Sequence, residues 1–269
     1  MSLKIIVLAK QVPDTRNVGP DAMTAEGTVN RAALPAVFNP EDLNALEQAL
    51  RLKDANPGST ITMLTMGLPK ATDVLREGVY RGADDGILIS DRPLGGADTL
   101  ATSYTLAQAI KKVGDFDIIL CGRQAIDGDT AQVGPQVAEK LGLTQITYTE
   151  EILSIDKENK KIVAKRHIDG GVETVEGPLP IVVTVNGSAA PCRTRNVKRV
   201  WANKNRQFKT WGAADIDADP AQIGKAGSPT NVKAVKSIVF KAKENKTLTS
   251  SDADIESLIV ELMESNTIG

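Results

Sequence analysis

The chain has 269 residues, 41% apolar and 25% charged, with only two Trp, three Tyr and four Phe. That supports one large globular domain, or a domain with an appendage, built around Ala, Val, Ile and Leu, and it excludes disorder, collagen and disulfide scaffolds. With 32 basic against 34 acidic residues, one His and two Cys, the chain has no general attraction for nucleic acid or anionic lipid. It also has too few ligands for a zinc site, a CxxC redox motif or an iron–sulfur cluster.

The first apolar run, residues 5–9 between Lys4 and Lys10, is too short for a signal or membrane span and reads as a buried strand. With two separated thiols, Cys121 and Cys192, a reducing cytoplasm without membrane insertion is expected. A helix should follow in NPEDLNALEQAL (39–50), with Asn39 as N-cap, Pro40 at the first helical position, Asp42 closing a capping box and Leu43, Leu46 and Leu50 inward. Residues 61–65, 87–89 and 118–121 are further buried strands. Between them lie a helix at 69–81 with Val74, Leu75 and Val79 inward, and one after Asp98 with Leu100, Tyr104, Ala107 and Ile110 on one face. After Cys121 comes the loop GRQAIDGDTAQVGP (122–135), and then a helix ending at Gly142.

Downstream, residues 161–166 and 181–185 read as strands with a turn at Asp169, Gly170 and Gly171. Arg193, Arg195, Lys198, Arg199, Lys204, Arg206 and Lys209 make a basic stretch without an acid, open to three readings: solvated loop, docking surface for an acidic protein, or nucleic-acid contact, the last disfavoured by the overall charge. Residues 224–230 look like a connector, and a final helix should open at Ser251 and Asp254 with Ile255, Leu258, Ile259 and Leu262 on one face. Alternating strands and helices predict an α/β fold: a Rossmann-like parallel sheet with helices on both faces over 1–223, and a C-terminal linker with a helical arm over 224–269.

Ligands of such a sheet bind beyond the carboxyl ends of the strands, where strand order reverses. The informative loops there follow Ala9 and Met66 and fill 122–134. Within the last, Gly128 and Gly134 allow close backbone approach, while Asp127, Asp129 and Thr130 offer polar groups before a helix N-terminus suited to phosphate. The bland reading is that these residues only turn the chain and cap a helix, as Asp98 would. The chain contains neither GxGxxG nor GxxxxGK[ST], so the residues by themselves lead to a nucleotide site of another type. His167 reads as structural, Cys121 as packing, and no catalytic dyad or triad can be assembled.

The stretch AKRHIDGGVETVEGPLPIVVT (164–184) resembles the signature of the electron transfer flavoprotein beta subunit, with Arg166, Asp169, Gly170, Gly171, Glu173, Val175, Pro180 and Thr184 in the expected spacing. VLAKQVPD (7–14), Asn39 with Pro40, and GRQAIDGDTAQ (122–132) are similar too. The resemblance implies a heterodimer with an alpha subunit that holds one FAD, and a second adenine nucleotide on this chain: AMP in simple carriers, FAD in electron-bifurcating ones. The form of 122–135, with Asp91, Arg92 and residues 95–102, is similar to the bifurcating group, so FAD is expected, with AMP as the alternative. The resemblance implies cofactor contacts at Ala9, Asn39, Met66, Gly122, Arg123, Asp127, Gly128, Asp129, Thr130, Ala131, Gln132, Val133 and Gly134; Asp98, Thr99 and Thr102 follow from the bifurcating pattern alone. It further implies NADH as substrate, ferredoxin or flavodoxin as one electron acceptor, and a dehydrogenase of the acyl-CoA or hydroxyacid type as the other partner, recognised through a loop near 189–199. The terminal helix is similar to an arm anchoring on the alpha subunit. No metal and no catalytic side chain is implied, and a nucleotide-binding sensor of the same architecture without redox function is the other class of reading.

Overall fold

The computed structural model describes residues 2–14, 35–230 and 246–268. The chain divides into two compact units, Met1–Ala234 and Val235–Gly269. In the first unit the chain forms β1 (Lys4–Leu8), a short antiparallel ribbon of β2 (Gln11–Pro13) and β3 (Ala36–Phe38), α1 (Pro40–Ala55), β4 (Thr60–Met66), α2 (Thr72–Arg81), β5 (Asp85–Ile89), α3 (Thr99–Val113), β6 (Ile118–Gly122) and α4 (Val133–Leu141). It continues through β7 (Thr144–Asp156), β8 (Lys161–Ile168), β9 (Gly171–Pro178), β10 (Ile181–Val185), α5 (Val197–Asn203) and β11 (Lys209–Trp211).

Among the described residues these strands form a nine-stranded sheet in the order β11-β5-β4-β1-β6-β10-β7-β8-β9. It is parallel from β11 to β7 and antiparallel through β8 and β9. The four apolar runs of the first half are all strands, and they lack polar alternation because both faces of the sheet are covered. Ile5 and Val7 enter a core with Leu46, Leu50 and Leu75 from α1 and α2; Ile6 and Leu8 enter a second with Leu106, Ile110 and Val137 from α3 and α4. From β1 the chain steps outward to β4 and β5, then returns to β6 on the other side of β1. Strand order therefore reverses between β1 and β6, which puts the crevice at their carboxyl ends.

Several expectations are corrected. On α3 the expected Ala107 and Ile110 are buried and Tyr104 packs partly buried against the core, but Leu100 is exposed, and the inward face is wider than expected, taking in Ala101, Thr105, Leu106 and Ala109. β7, β9 and β11 are strands without a sequence signal. β7 loses its period at Tyr148, a left-handed residue (φ 58°), where pairing passes from β10 to β8.

The basic stretch is mostly spent within the fold. Arg193 holds Glu47 at 3.0 Å and Asp54 at 2.8 Å, Arg195 holds Glu77 at 2.6 Å, and Arg206 holds Asp85 at 2.8 Å. Arg199 donates to the carbonyls of Val79 and Ala83, just where α2 ends. Burial alone would raise the Glu47 carboxyl, but hydrogen bonds from Arg193 hold it below the usual carboxylate range. Glu47→Ala is expected to cost about 2 kcal/mol, because it takes the acceptor from the Arg193 amide and leaves the partly buried guanidinium with Asp54 alone. Urea unfolding checks this, and a loss below about 0.5 kcal/mol would assign the pair no structural weight.

In the second unit, α6 (Asp252–Glu264) starts at Ser251, whose Oγ accepts the Asp254 amide at 3.3 Å. The expected box is only half formed, since the Asp254 carboxylate takes the Thr249 amide at 2.9 Å. Ile255, Leu258 and Ile259 are exposed. The part of the expected arm at 231–245 lies outside the described residues. Among the described residues no helix is long and apolar enough to cross a membrane.

Candidate functional site

The start of α1 lies against the carboxyl ends of β1 and β6, and its side chains do not cap their own helix. Asn39 makes no capping hydrogen bond. Its Nδ2 donates to the Gln124 carbonyl at 2.8 Å, and its Oδ1 accepts the Ile126 amide at 3.2 Å. Glu41 accepts the Gln124 amide at 2.9 Å and Arg123 Nη2 at 2.9 Å. Asp42, read from sequence as part of a capping box, instead accepts the Lys10 amide at 2.8 Å and the Gly122 amide at 2.9 Å. Both readings are corrected for one reason. The opened strand ends carry amides, buried at Gly122 and part-buried at Lys10, Gln124 and Ile126, that need acceptors, and they claim these side chains. Glu41 and the tertiary role of Asp42 escape sequence reasoning because acids in a first helical turn already suit the helix dipole.

Asp42 is fully buried, and burial pushes its carboxyl up to about 7 against the pull of the Lys10 and Gly122 amides. Gly122 has no room for a side chain: a Cβ would lie 2.6 Å from Asp42 Oδ1 and 2.8 Å from the Asp42 amide nitrogen.

Residues 122–134 leave this clasp as a loop that is exposed at residues 128–130 and 132 and otherwise at least half-buried. Arg123 lies over the Tyr148 ring at 5.3 Å. Asp127 pairs with Lys10 at 2.7 Å, and Asp129 accepts Gln124 Nε2 at 2.8 Å. Asp129 and Ala131 both adopt left-handed backbone, φ 49° and 52°. For alanine this costs about 1 kcal/mol, the kind of strain that collects at ligand sites. A Cβ on Gly128 would meet open space, so that glycine leaves room beside the chain. Gly134 does not: its Cβ would lie 2.6 Å from Thr184 and 2.9 Å from Cys121, so its bareness lets α4 pack on the sheet. Thr130 is exposed, and Val133 opens α4 after Gln132, which supplies no side-chain cap.

Ala9 is buried beyond β1 with its amide on Leu64, and Met66 is half-buried at the end of β4. Next to Met66, the fully buried Thr65 Oγ1 has no hydrogen-bond partner. On the other side, Thr99 Oγ1 donates to Gln132 Oε1 at 2.8 Å, and the half-buried Thr102 lies one turn further along α3. Asp98 caps α3 through the amides of Leu100 and Ala101, at 3.0 and 3.1 Å. The structure thus gathers the loop, Ala9, Met66 and the starts of α3 and α4 on the carboxyl side of the sheet. His167 lies apart in the β8–β9 hairpin, 3.3 Å from Glu150. Burial pushes the Cys121 thiol upward and that of Cys192 to about 11, which keeps both in the unreactive thiol form.

These residues fit a phosphate-bearing ligand. The first amides of α4 lack a side-chain cap, Gly128 leaves space, and the Thr65 hydroxyl is an orphaned buried polar group. A doubly wound sheet whose polar loops converge at its switch point defines the class of α/β proteins that hold nucleotides or nucleotide cofactors.

The electron transfer flavoprotein domain family matches residues 26–216. The electron transfer flavoprotein subunit beta of Megasphaera elsdenii is 44% identical over 96% of this chain and 99% of its own length. The caffeyl-CoA reductase-Etf complex subunit CarD of Acetobacterium woodii is 45% identical over 86% of each chain, and protein FixA of Azotobacter vinelandii is 39% identical over 94% of this chain and 90% of its own. The chain belongs to the electron transfer flavoprotein family, among its beta subunits. The resemblance read from residues 164–184 and the α/β architecture are both borne out.

Proposed function

We propose that the chain works in a heterodimer with an alpha subunit, holds FAD at residues 122–134, and carries electrons from NADH to ferredoxin or flavodoxin and, through FAD on the alpha subunit, to an acyl-CoA or hydroxyacid dehydrogenase. The observation that carries this reading is the strained loop at the switch point, with left-handed Asp129 and Ala131 leading into the uncapped start of α4. FAD bound there supplies the redox chemistry, accepting a hydride and releasing electrons one at a time. The chain's own work is to hold it. Val133 and Gly134 offer amides to phosphate, and Asn39, Glu41 and Asp42 fix the loop's backbone. CarD is a subunit of a caffeyl-CoA reductase complex, and an Anaerotignum propionicum relative, 43% identical, is an electron transfer subunit of acryloyl-CoA reductase; both names support an acyl-CoA partner. The exposed apolar residues of α6 support an arm that anchors on the alpha subunit.

Cofactor analysis of the purified complex tests the reading. Two FAD per heterodimer is the expected result; one FAD with one AMP would leave a simple carrier and overturn bifurcation. Asp129→Ala should weaken nucleotide binding about tenfold, since it removes the Gln124 contact and places a second alanine in left-handed backbone. Nucleotide content unchanged after dialysis would remove Asp129 from the site.

A further inference from the structure

Residues 224–230 lead from the first unit toward residues 231–245, and they are built into that unit rather than strung beside it. Gly224 has φ 52°, and a Cβ there would lie 2.0 Å from the Pro93 carbonyl oxygen; one on Gly227 would lie 2.1 Å from the Gln222 carbonyl carbon. These glycines permit close packing and are not a flexible spacer. Ser228 is buried and donates to the Gly224 carbonyl at 2.7 Å, while its oxygen accepts the Asp98 amide at 2.8 Å. Asp98 Oδ2 accepts the Thr230 amide at 3.2 Å, while Oδ1 caps α3. Both carboxylate oxygens are therefore engaged inside the protein, so Asp98 serves as a structural acceptor here and not as the cofactor contact that the resemblance implies for it. One residue on, Thr99 is bonded to Gln132 in the 122–134 loop, and Ser103 Oγ reaches Gln136 of α4 at 2.7 Å.

We infer that Asp98 is a positioning residue that latches the 224–230 segment to the start of α3, and that the Thr99–Gln132 bond makes this latch sensitive to a nucleotide in the neighbouring loop. The inference rests on the nucleotide reading of that loop. A ligand that orders 122–134 fixes Gln132, hence Thr99 and the first turn of α3, hence the acceptor for Thr230. By linkage, a seated 224–230 segment in turn favours the ligand. The hydrogen bonds of Asp98 outweigh its desolvation and hold its carboxyl below the usual range, so the latch keeps its charge at neutral pH.

Hydrogen–deuterium exchange on the purified heterodimer tests this, with FAD or AMP removed and then restored. Either nucleotide should slow exchange in 122–134, and together with it slow 224–230 by about threefold or more. Asp98→Asn keeps an oxygen for the α3 cap but presents an amide group to Thr230; it should retain the protection of 122–134 and lose that of 224–230. Thr99→Val should uncouple the two segments in the same way. A 224–230 segment indifferent to nucleotide in the unaltered protein overturns the latch. Loss of loop protection in Asp98→Asn overturns it too, by making Asp98 a ligand contact. If neither nucleotide protects 122–134 at all, the nucleotide reading falls first, and the latch with it.

Discussion

Asp42→Ala should lower the unfolding free energy by about 3 kcal/mol in denaturant titration, because it leaves the buried amide of Gly122 and the part-buried amide of Lys10 without their acceptor. Each orphaned donor costs about 1–3 kcal/mol, and both lie where the sheet opens between β1 and β6. Nucleotide retention should fall with stability, since the same amides fix the entrance to residues 122–134. A loss below about 1 kcal/mol would mean that water reaches both amides. The companion variant Asp42→Asn isolates the charge. An unfolded aspartate titrates near 3.8, whereas Asp42 in the fold is raised to about 7 by burial. Between those values the folded state binds more protons than the unfolded one, so the native protein loses stability as pH rises, by at most about 1.4 kcal/mol per pH unit, and levels off above pH 7. Asparagine does not titrate. The advantage of the native protein over Asp42→Asn should therefore shrink from pH 4 to pH 7; an advantage that stays constant or grows would show that the two amides outweigh burial.

The parts of the fold legible in the sequence are those dominated by burial. Residues 5–9, 61–65, 87–89 and 118–121 are apolar, broken only by Thr62 and Thr65, because helices cover both faces, and that pattern survives without neighbours. β7 and β9 are illegible because their pairing depends on a bulge at Tyr148 and on a solvent-facing antiparallel edge, which admit nearly any residue. At the site, the loop 122–134 is legible from its glycines and acids. The roles of Asn39, Glu41 and Asp42 are not, because a cap box and a tertiary clasp need the same residues in the same order, and only the proximity of β6 decides between them. The basic stretch fails for the converse reason: its partners Glu47, Asp54, Glu77 and Asp85 are far away in sequence and adjacent only in the fold.

Gly122→Ala is expected to be at least as damaging as Asp42→Ala, and by the opposite route. Its Cβ would meet Asp42 Oδ1 at 2.6 Å and, at 2.8 Å, both the Asp42 nitrogen and the Glu41 carbonyl carbon. Two of these three atoms belong to the α1 backbone, so no rotamer change relieves the contact; the helix start must retreat from β6. Retreat breaks the Asp42 and Glu41 bonds to Gly122 and Gln124 together, and it loosens Asn39 on Ile126. Overpacking in a rigid core costs about 1–3 kcal/mol, and the lost acceptors raise the total to about 4 kcal/mol or more. Gly128→Ala is the control: its Cβ enters open space, so stability should stay within about 0.5 kcal/mol of the native protein. Nucleotide content then separates two roles for glycine in one loop. Gly122→Ala should lose nucleotide and stability together, whereas Gly128→Ala should lose only nucleotide if the space beside Gly128 is where the ligand lies. Equal stability of the two variants in thermal unfolding would show that α1 yields freely, and that its clasp on β6 does not set the shape of the site.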